Sequence, residues 1–162
     1  MSEKRNIAAE ALSICMQTGW YGGKNIPVLL EAVPGCGKTS VVQQMADILA
    51  KHLQAQKVSD TFSTEVFVLP QTMPEDISGV PSPDLEARSL ERLPLGGIRR
   101  LINAQYGVAF FDEITSSSQQ TGAACMTLIQ DGAAGDVKMP DTIARVAACN
   151  PPSCAAAGRE FT

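Results

Sequence analysis

The sequence predicts an α/β domain with a parallel sheet, and three observations lead to this fold class. Short apolar segments that are typical of strands alternate with longer segments that have helical spacing. Residues 31–40 run from an apolar strand through a glycine-containing loop into the start of a helix. Of two later apolar segments, 107–113 ends in two acidic residues and 143–149 is followed by Asn150, which is typical of strands whose carboxyl ends border a binding site.

The first half of the chain contains two predicted helices and two predicted strands. Apolar residues at helical spacing predict a helix over 3–17, and a second helix is expected over 39–54. The segment 27–33 predicts the first strand. Because it is almost wholly apolar, we expect it to be buried on both faces. The second strand is expected over 65–69.

The second half begins with prolines and glycines that cluster between residues 70 and 95. This pattern predicts an insertion in the region of the second helix, with a loop or hairpin of its own. Ser116 and Gln119 have the spacing of a capping box for a helix that runs to about residue 130. The remaining predicted elements are a helix over 98–105, a strand over 107–113, a hairpin over 131–142 and a strand over 143–149.

The loop after the first strand has the residue types that bind phosphate groups. Its predicted nucleotide-binding residues are Pro34, Gly35, Cys36, Gly37, Lys38, Thr39 and Ser40. Two glycines allow the backbone amides to turn inward, and the start of the following helix adds positive character. Lys38 can reach the β- and γ-phosphates, and the Thr39 hydroxyl can bind Mg²⁺. Ala32 stands where the usual pattern has its first glycine.

Polar residues end the two later strands, at the sheet edge where the phosphate loop is expected. Asp112 is predicted to hold Mg²⁺, and Glu113 to orient and deprotonate a water for attack on the γ-phosphate. Asn150 can both donate and accept hydrogen bonds, so it can sense whether that phosphate is present. The sequence therefore predicts that ATP and Mg²⁺ bind at this edge, with Lys38, Glu113 and Asn150 taking part in catalysis.

Composition and charge narrow the class of protein. The length of 162 residues fits one domain. The net charge of −4 does not indicate binding to nucleic acid. The sequence shows neither a signal peptide nor an apolar run of membrane-spanning length. Five cysteines without C-x-x-C spacing indicate neither a disulfide framework nor a zinc site. We therefore expect a cytoplasmic protein that does not contact a membrane.

The order of these motifs resembles that of the AAA+ ATPases. The loop 34–39, the acids Asp112 and Glu113, and Asn150 are similar to the Walker A, Walker B and sensor 1 elements of that superfamily. The segments 73–79 and 147–152 are similar to its MoxR branch. The resemblance extends from about residue 25 to residue 152, and residues 1–162 would form a partial nucleotide-binding domain.

This resemblance implies a three-layer P-loop domain in a ring, expected to be a homo-hexamer when full-length, that hydrolyses ATP to remodel a protein client. It also implies a fifth strand, an arginine finger and a helical lid, none of which is expected within residues 1–162. Arg159 is not assigned as the finger. Without the fifth strand, the strand at 28–32 would be an exposed apolar edge. Because no arginine finger is expected within these residues, hydrolysis by this chain alone is expected to be weak.

Other functions remain open from the sequence. A nucleotide-dependent binding module would use the same loop with little turnover. A P-loop kinase would transfer the γ-phosphate to a small acceptor, and it would need an arginine-rich lid. A DNA-directed motor is disfavoured by the acidic charge.

Overall fold

The structure, a computed structural model, describes residues 7–58, 61–86 and 88–154, with side chains from residue 9 onward. The helices in these ranges are α1 (Ile7–Met16), α2 (Lys38–Ala55), α3 (Pro74–Ser78), α4 (Gly96–Asn103) and α5 (Gln119–Asp131). The strands are β1 (Val28–Glu31), β2 (Phe62–Val68), β3 (Val80–Asp84), β4 (Ser89–Leu93), β5 (Tyr106–Asp112), β6 (Ala133–Ala134), β7 (Val137–Lys138) and β8 (Ile143–Cys149). Short 3-10 helices occupy Thr18–Tyr21, Leu69–Gln71, Ile114–Ser116 and Pro152–Cys154.

Four parallel strands form the central sheet in the order β1–β8–β5–β2. Cys149 of β8 lies opposite Glu31 of β1, and Asp112 of β5 lies opposite Val68 of β2. The carboxyl ends of all four strands therefore meet at one edge. The predicted α/β class with a parallel sheet is confirmed.

The core consists of two layers of side chains, one on each face of the sheet. Successive residues of β5 and β8 point to opposite faces, so each of these strands contributes to both layers. One layer packs beneath α1 and α2 and includes Val108, Phe110, Ala144 and Val146. The other packs beneath α4 and α5 and includes Ala109, Phe111, Ile143 and Ala147. This arrangement gives the three-layer architecture and explains why all seven residues of β8 are buried.

Helix α2 begins at the phosphate loop and buries one stripe of side chains. The buried residues Val42, Ala46, Leu49 and Leu53 are four, three and four positions apart, which is the spacing of one helix face. The apolar residues Val41 and Ile48 lie outside this stripe, 38% and 59% exposed. The buried stripe holds the start of α2 firmly against the sheet.

The first strand differs from its prediction. Its residues alternate between half-buried and exposed, and Leu29 is 61% exposed. The expectation that this strand is buried on both faces is therefore wrong. Among the described strands β1 pairs only with β8, so it lies at the edge of the sheet and lacks a covering layer on one side.

The N-cap of the helix after β5 lies two residues later than the sequence predicted. Ser116 lies within the 3-10 helix Ile114–Ser116, and α5 begins at Gln119 with Ser118 as its N-cap. The Ser118 hydroxyl accepts a hydrogen bond from the Thr121 amide at 3.1 Å. The predicted capping box of Ser116 and Gln119 is therefore wrong, because Ser116 belongs to a separate 3-10 turn that begins at the buried Ile114.

Two antiparallel hairpins stand apart from the central sheet. Strands β3 and β4 pair within the segment 70–95, and the short strands β6 and β7 pair within 131–142. None of the helices in the described ranges is long and apolar enough to cross a membrane. The N-terminal residues 3–6 of the expected first helix, and Arg159, lie outside the described residues.

Candidate nucleotide-binding site

The loop between β1 and α2 turns through two glycines with left-handed backbone. Gly35 and Gly37 have φ angles of 76° and 87°, in the left-handed region that favours glycine. A Cβ atom built on either residue would meet no atom within 4 Å. These glycines are therefore required by the path of the backbone and not by crowding, and free space lies beside both.

Helix α2 starts at this loop without a side-chain cap. Its N-cap is Gly37, which has no side chain to accept from the first amides of the helix. The first turn of any α-helix has amides without an intrahelical acceptor, and they carry partial positive charge. An anion beside Gly35 and Gly37 would supply the missing acceptors.

Ala32, the departure from the usual phosphate-loop pattern, lies at the end of β1. Its amide donates to the Cys149 carbonyl at 3.4 Å, which extends the pairing of β1 with β8 by one residue. Positive φ angles among described non-glycine residues occur at Lys57, Arg88 and Glu113, so Ala32 has an ordinary backbone. The position therefore has no conformational need for glycine.

Lys38 joins the phosphate loop to the end of β8. Its ammonium group donates to Asn150 Oδ1 at 2.9 Å, to the Ala32 carbonyl at 2.7 Å and to the Val33 carbonyl at 3.3 Å. The structure thus brings together two predicted site residues that are 112 positions apart. The two carbonyl acceptors were not foreseen, because the sequence does not show how the backbone of a loop turns.

Thr39 and Asp112 form a second long-range contact. The Thr39 hydroxyl donates to Asp112 Oδ2 at 2.6 Å, across a separation of 73 positions. Both side chains are partly buried, and both carry the hard oxygen ligands that Mg²⁺ prefers. The two residues predicted to bind the metal therefore lie side by side.

Glu113 has a strained backbone directly after β5. Its φ and ψ angles of 58° and 44° are left-handed, and its amide donates to Asp112 Oδ1 at 3.0 Å. For a residue with a Cβ this conformation costs about 1–2 kcal/mol. Strain of this kind persists where the surroundings impose it, and it is frequent at active sites. The side chain of Glu113 is exposed, whereas the next residue, Ile114, is buried.

Cys149 lies beside this cluster at the last position of β8. Burial and the neighbouring Glu31 carboxylate raise the pKa of its thiol, and the Lys38 ammonium opposes them. The thiol therefore stays protonated near neutral pH and acts as a small apolar side chain beneath Asn150. Cys36 and Ser40, in contrast, are exposed on the phosphate loop and the first turn of α2.

These residues fit a nucleoside triphosphate with a magnesium ion. The loop has open space at both glycines, a lysine at its side, and a helix start without a side-chain cap. A hydroxyl and a carboxylate, both suited to a hard cation, lie 2.6 Å apart at its edge. The donor set thus combines anion binding and cation binding at adjacent positions.

Comparison with solved structures shows which fold this is. Over 96% of this chain and 41% of the other, it resembles a crystal structure of a candidate ATPase from Cytophaga hutchinsonii, with 22% identity and a TM-score of 0.52. Over 94% of this chain and 41% of the other, it resembles a lysine-to-arginine mutant of RuvB from Thermotoga maritima, with 18% identity and a TM-score of 0.52. No protein-family model matches the sequence, and neither does any curated protein.

The fold of the described residues is therefore the α/β fold of these two solved structures, with its parallel sheet in the order β1–β8–β5–β2. The chain spans about two fifths of the length of each of the two solved proteins, as the 41% coverage shows. At these identities the likeness concerns the fold alone.

Proposed function

We propose that this chain is the ATP-binding and ATP-hydrolysing core of a MoxR-like AAA+ ATPase. The observation that carries the proposal is the contact of Thr39 with Asp112, because it places a potential metal site directly beside the phosphate loop. The contact of Lys38 with Asn150 supports it from the other side of the loop. Together the two contacts support a site for a triphosphate and its cation at this edge of the sheet.

In this proposal the loop residues bind and orient the substrate. The backbone N–H groups of residues 35–40 and the Lys38 ammonium hold the phosphate oxygens. For Lys38, these oxygens replace the two backbone carbonyls and the Asn150 side-chain oxygen that it contacts in this structure. Thr39 and Asp112 hold Mg²⁺, which supplies charge neutralisation at the β- and γ-phosphates when it is bound. Pro34 and Cys36 complete the loop between the two glycines and the strand.

Glu113 and Asn150 would provide the hydrolytic step. The Glu113 carboxylate accepts a proton from the attacking water, and the resulting hydroxide oxygen bonds to the γ-phosphorus as the bond to the ADP oxygen breaks. The Asn150 side chain orients that water or the γ-phosphate through its amide group. Asn150 accepts a hydrogen bond from Lys38. When the γ-phosphate binds Lys38 in its place, the Asn150 side chain is released, and it can in this way respond to that phosphate.

Assembly and partners follow from the resemblance to MoxR-like proteins. We propose a homo-oligomeric ring, a hexamer in the full-length protein, that acts on a protein client in the cytoplasm. An arginine supplied by a neighbouring subunit contributes roughly three to five orders of magnitude to the rate in phosphohydrolases that use one. Turnover by this chain alone should therefore be slow compared with its binding of ATP.

The experiment compares Glu113→Gln with a matched acidic control. Glu31 is also an exposed carboxylate at the carboxyl edge of the sheet, so Glu31→Gln makes the same chemical change nearby. Binding is measured with a fluorescent ATP analogue, and hydrolysis is measured under single-turnover conditions with labelled ATP and Mg²⁺. We expect Glu113→Gln to bind ATP normally and to hydrolyse it about 10²–10⁴ times more slowly, while Glu31→Gln behaves as the wild type does.

Three results would contradict the proposal. Brisk hydrolysis by Glu113→Gln would remove Glu113 from its role. Tight binding by the wild type without turnover, even when full-length subunits are added, would indicate a nucleotide-dependent binding module. Transfer of the γ-phosphate to an added small acceptor would indicate a kinase.

A further inference from the structure

The two hairpins outside the central sheet are joined to each other. The insert hairpin, residues 80–93, and the second hairpin, residues 133–138, meet where Asp136 Oδ2 accepts a hydrogen bond from the Arg92 amide at 2.8 Å. Arg92 of β4 is paired with Pro81 of β3 in the insert hairpin. The Arg92 amide points away from β3, and Asp136 supplies its acceptor.

Close packing surrounds this hydrogen bond. A Cβ on Gly135 would lie 2.6 Å from the Ser78 carbonyl oxygen and 2.9 Å from Arg92 Cβ. The Arg92 guanidinium donates from Nη1 to the Gly79 carbonyl at 3.1 Å. The base of the insert hairpin therefore sits directly on the turn of the second hairpin, with no room for a side chain between them.

Helix α5 carries the second hairpin and also contacts the start of the insertion. At its N-terminal end the Thr121 hydroxyl, which is 1% exposed, donates to the Thr72 carbonyl at 3.1 Å. At its C-terminal end Gly132 leads into β6, and the Gly132 carbonyl accepts from the Met139 amide at 2.8 Å. The insertion thus contacts α5 directly at the N-terminal end of the helix, and through the second hairpin at its C-terminal end.

The same helix is connected to the candidate catalytic residues. The chain runs from Glu113 through the 3-10 helix Ile114–Ser116 into α5. After the second hairpin it enters β8, which ends beside Asn150, and Arg145 of β8 donates from Nη1 to the Gln130 carbonyl of α5 at 3.2 Å. Helix α5 and the second hairpin therefore link both sides of the phosphate site to the insert hairpin.

The rest of the insert hairpin has little support of its own. All five residues of β4 are exposed, and Leu85 and Leu90 are 86% and 68% exposed. A two-stranded hairpin is only marginally stable in water without packing against another element. Its position relative to the sheet therefore depends on the contacts at its base.

We propose that Asp136 is a positioning residue that couples the insert hairpin to the nucleotide site. The inference rests on the proposed function, since it adds a response of the insert hairpin to bound nucleotide. Asp136 acts as a hydrogen-bond acceptor for the Arg92 amide. The position of its acceptor oxygen therefore matters for the coupling, and its negative charge does not. A neutral side chain with an acceptor at the same place keeps the coupling.

The test measures hydrogen exchange in the segment 89–93, which contains the Arg92 amide, with and without Mg²⁺ and a non-hydrolysable ATP analogue. The wild type is compared with Asp136→Ala, which removes the acceptor, and with Asp136→Asn, which keeps one. Glu91→Ala, on the neighbouring exposed position of β4, is the matched control. Nucleotide affinity is measured on the same samples.

We expect the analogue to change exchange in 89–93 of the wild type, of Asp136→Asn and of Glu91→Ala. In Asp136→Ala the segment should exchange about tenfold faster and respond no longer to the analogue, while nucleotide affinity stays within about twofold of the wild-type value. Rescue by Asp136→Asn distinguishes an acceptor at this position from a need for charge.

The outcomes separate this inference from the proposed function. If the wild type binds the analogue but 89–93 does not respond, or if Asp136→Ala still responds, the coupling is refuted and the proposed function stands. If the wild type binds no nucleotide, the proposed function and the coupling both fail. In the nucleotide-free samples, equal exchange in Asp136→Ala and the wild type would show that Asp136 does not hold the hairpin.

Discussion

Lys38 donates a hydrogen bond to Asn150 Oδ1 at 2.9 Å. The ammonium group beside the candidate phosphate loop is therefore held by the residue that directly follows β8. Two backbone carbonyls, of Ala32 and Val33, complete its acceptors. All three acceptors are neutral. A phosphate oxygen, which is charged, can therefore displace them at modest cost.

Asn150→Asp should weaken ATP binding. An aspartate would pair with Lys38 as an ion and compete with phosphate for it, so we expect ATP affinity to fall about tenfold. Asn150→Ala removes the side-chain oxygen that competes with phosphate for Lys38. This variant should no longer discriminate between ATP and ADP. Both are measured by calorimetric titration, with Lys38→Ala as the variant without a cation. Unchanged ATP affinity in Asn150→Asp would contradict a role for this pair.

Thr39→Ala should impair the response to magnesium. The substitution removes the hydroxyl that donates to Asp112 at 2.6 Å, so we expect Mg²⁺ affinity in the presence of ATP to fall about tenfold or more. Thr39→Ser keeps the hydroxyl and should restore most of it. Thr127→Ala, on the exposed side of α5, is the control. A magnesium titration identical in Thr39→Ala and the wild type would exclude Thr39 as a ligand.

Two glycine substitutions should separate backbone strain from crowding. Gly37→Ala imposes a left-handed conformation on alanine, at about 1–2 kcal/mol, but its Cβ meets no atom within 4 Å. Gly79→Ala adds a clash, since its Cβ would lie 2.6 Å from the Leu93 carbonyl oxygen. We expect Gly79→Ala to lower the thermal midpoint more, and only Gly37→Ala to weaken nucleotide binding. The reverse ranking of the midpoints would be evidence against the loop geometry.

The ion pair between Glu65 and Arg100 should make stability depend on acidity. The Arg100 guanidinium donates from Nε and Nη2 to the carboxylate, at 2.6 and 2.7 Å, and lowers the pKa of Glu65 below its ordinary value of 4.5. Because the folded value is depressed, the stabilisation is complete above the unfolded value. It is lost as the pH falls through the folded value.

Urea unfolding of the wild type and Glu65→Gln at several pH values tests this dependence. The two midpoints should differ most near pH 7, and the difference should shrink once the pH falls below the ordinary value of 4.5. Arg100→Gln should reproduce the behaviour of Glu65→Gln. A difference that stays constant from neutral to acidic pH would show that the carboxylate charge contributes nothing.

The sequence predicted the parallel sheet and the convergence of its motifs for one physical reason. In a parallel sheet all carboxyl ends meet at one edge, so Asp112 and Asn150, which follow separate strands, had to lie near the phosphate loop. Local patterns that depend on neighbouring residues, such as the start of α2, could be found without the rest of the fold.

Features that depend on the three-dimensional path of the chain were beyond the sequence. The exposure of Leu29 follows from the position of β1 at the sheet edge. The apolar composition of this strand predicted burial on both faces, and only the resemblance to the AAA+ ATPases predicted an exposed edge there. Ser116 and Ser118 are both acceptable caps, and the turn at Ile114 decides between them. The bond from Arg92 to Asp136 joins residues 44 positions apart that carry no shared pattern.

The pairing of β1 with β8 also has a consequence for the order of events during synthesis. The phosphate loop leaves the ribosome early, but the strand that flanks β1 and the Asn150 that holds Lys38 follow more than a hundred residues later, at a separation of 112 positions. Contacts between such distant segments form late in folding. A nascent chain therefore carries an unfinished loop until β8 is made, and the ability to bind nucleotide should arise in a single late step.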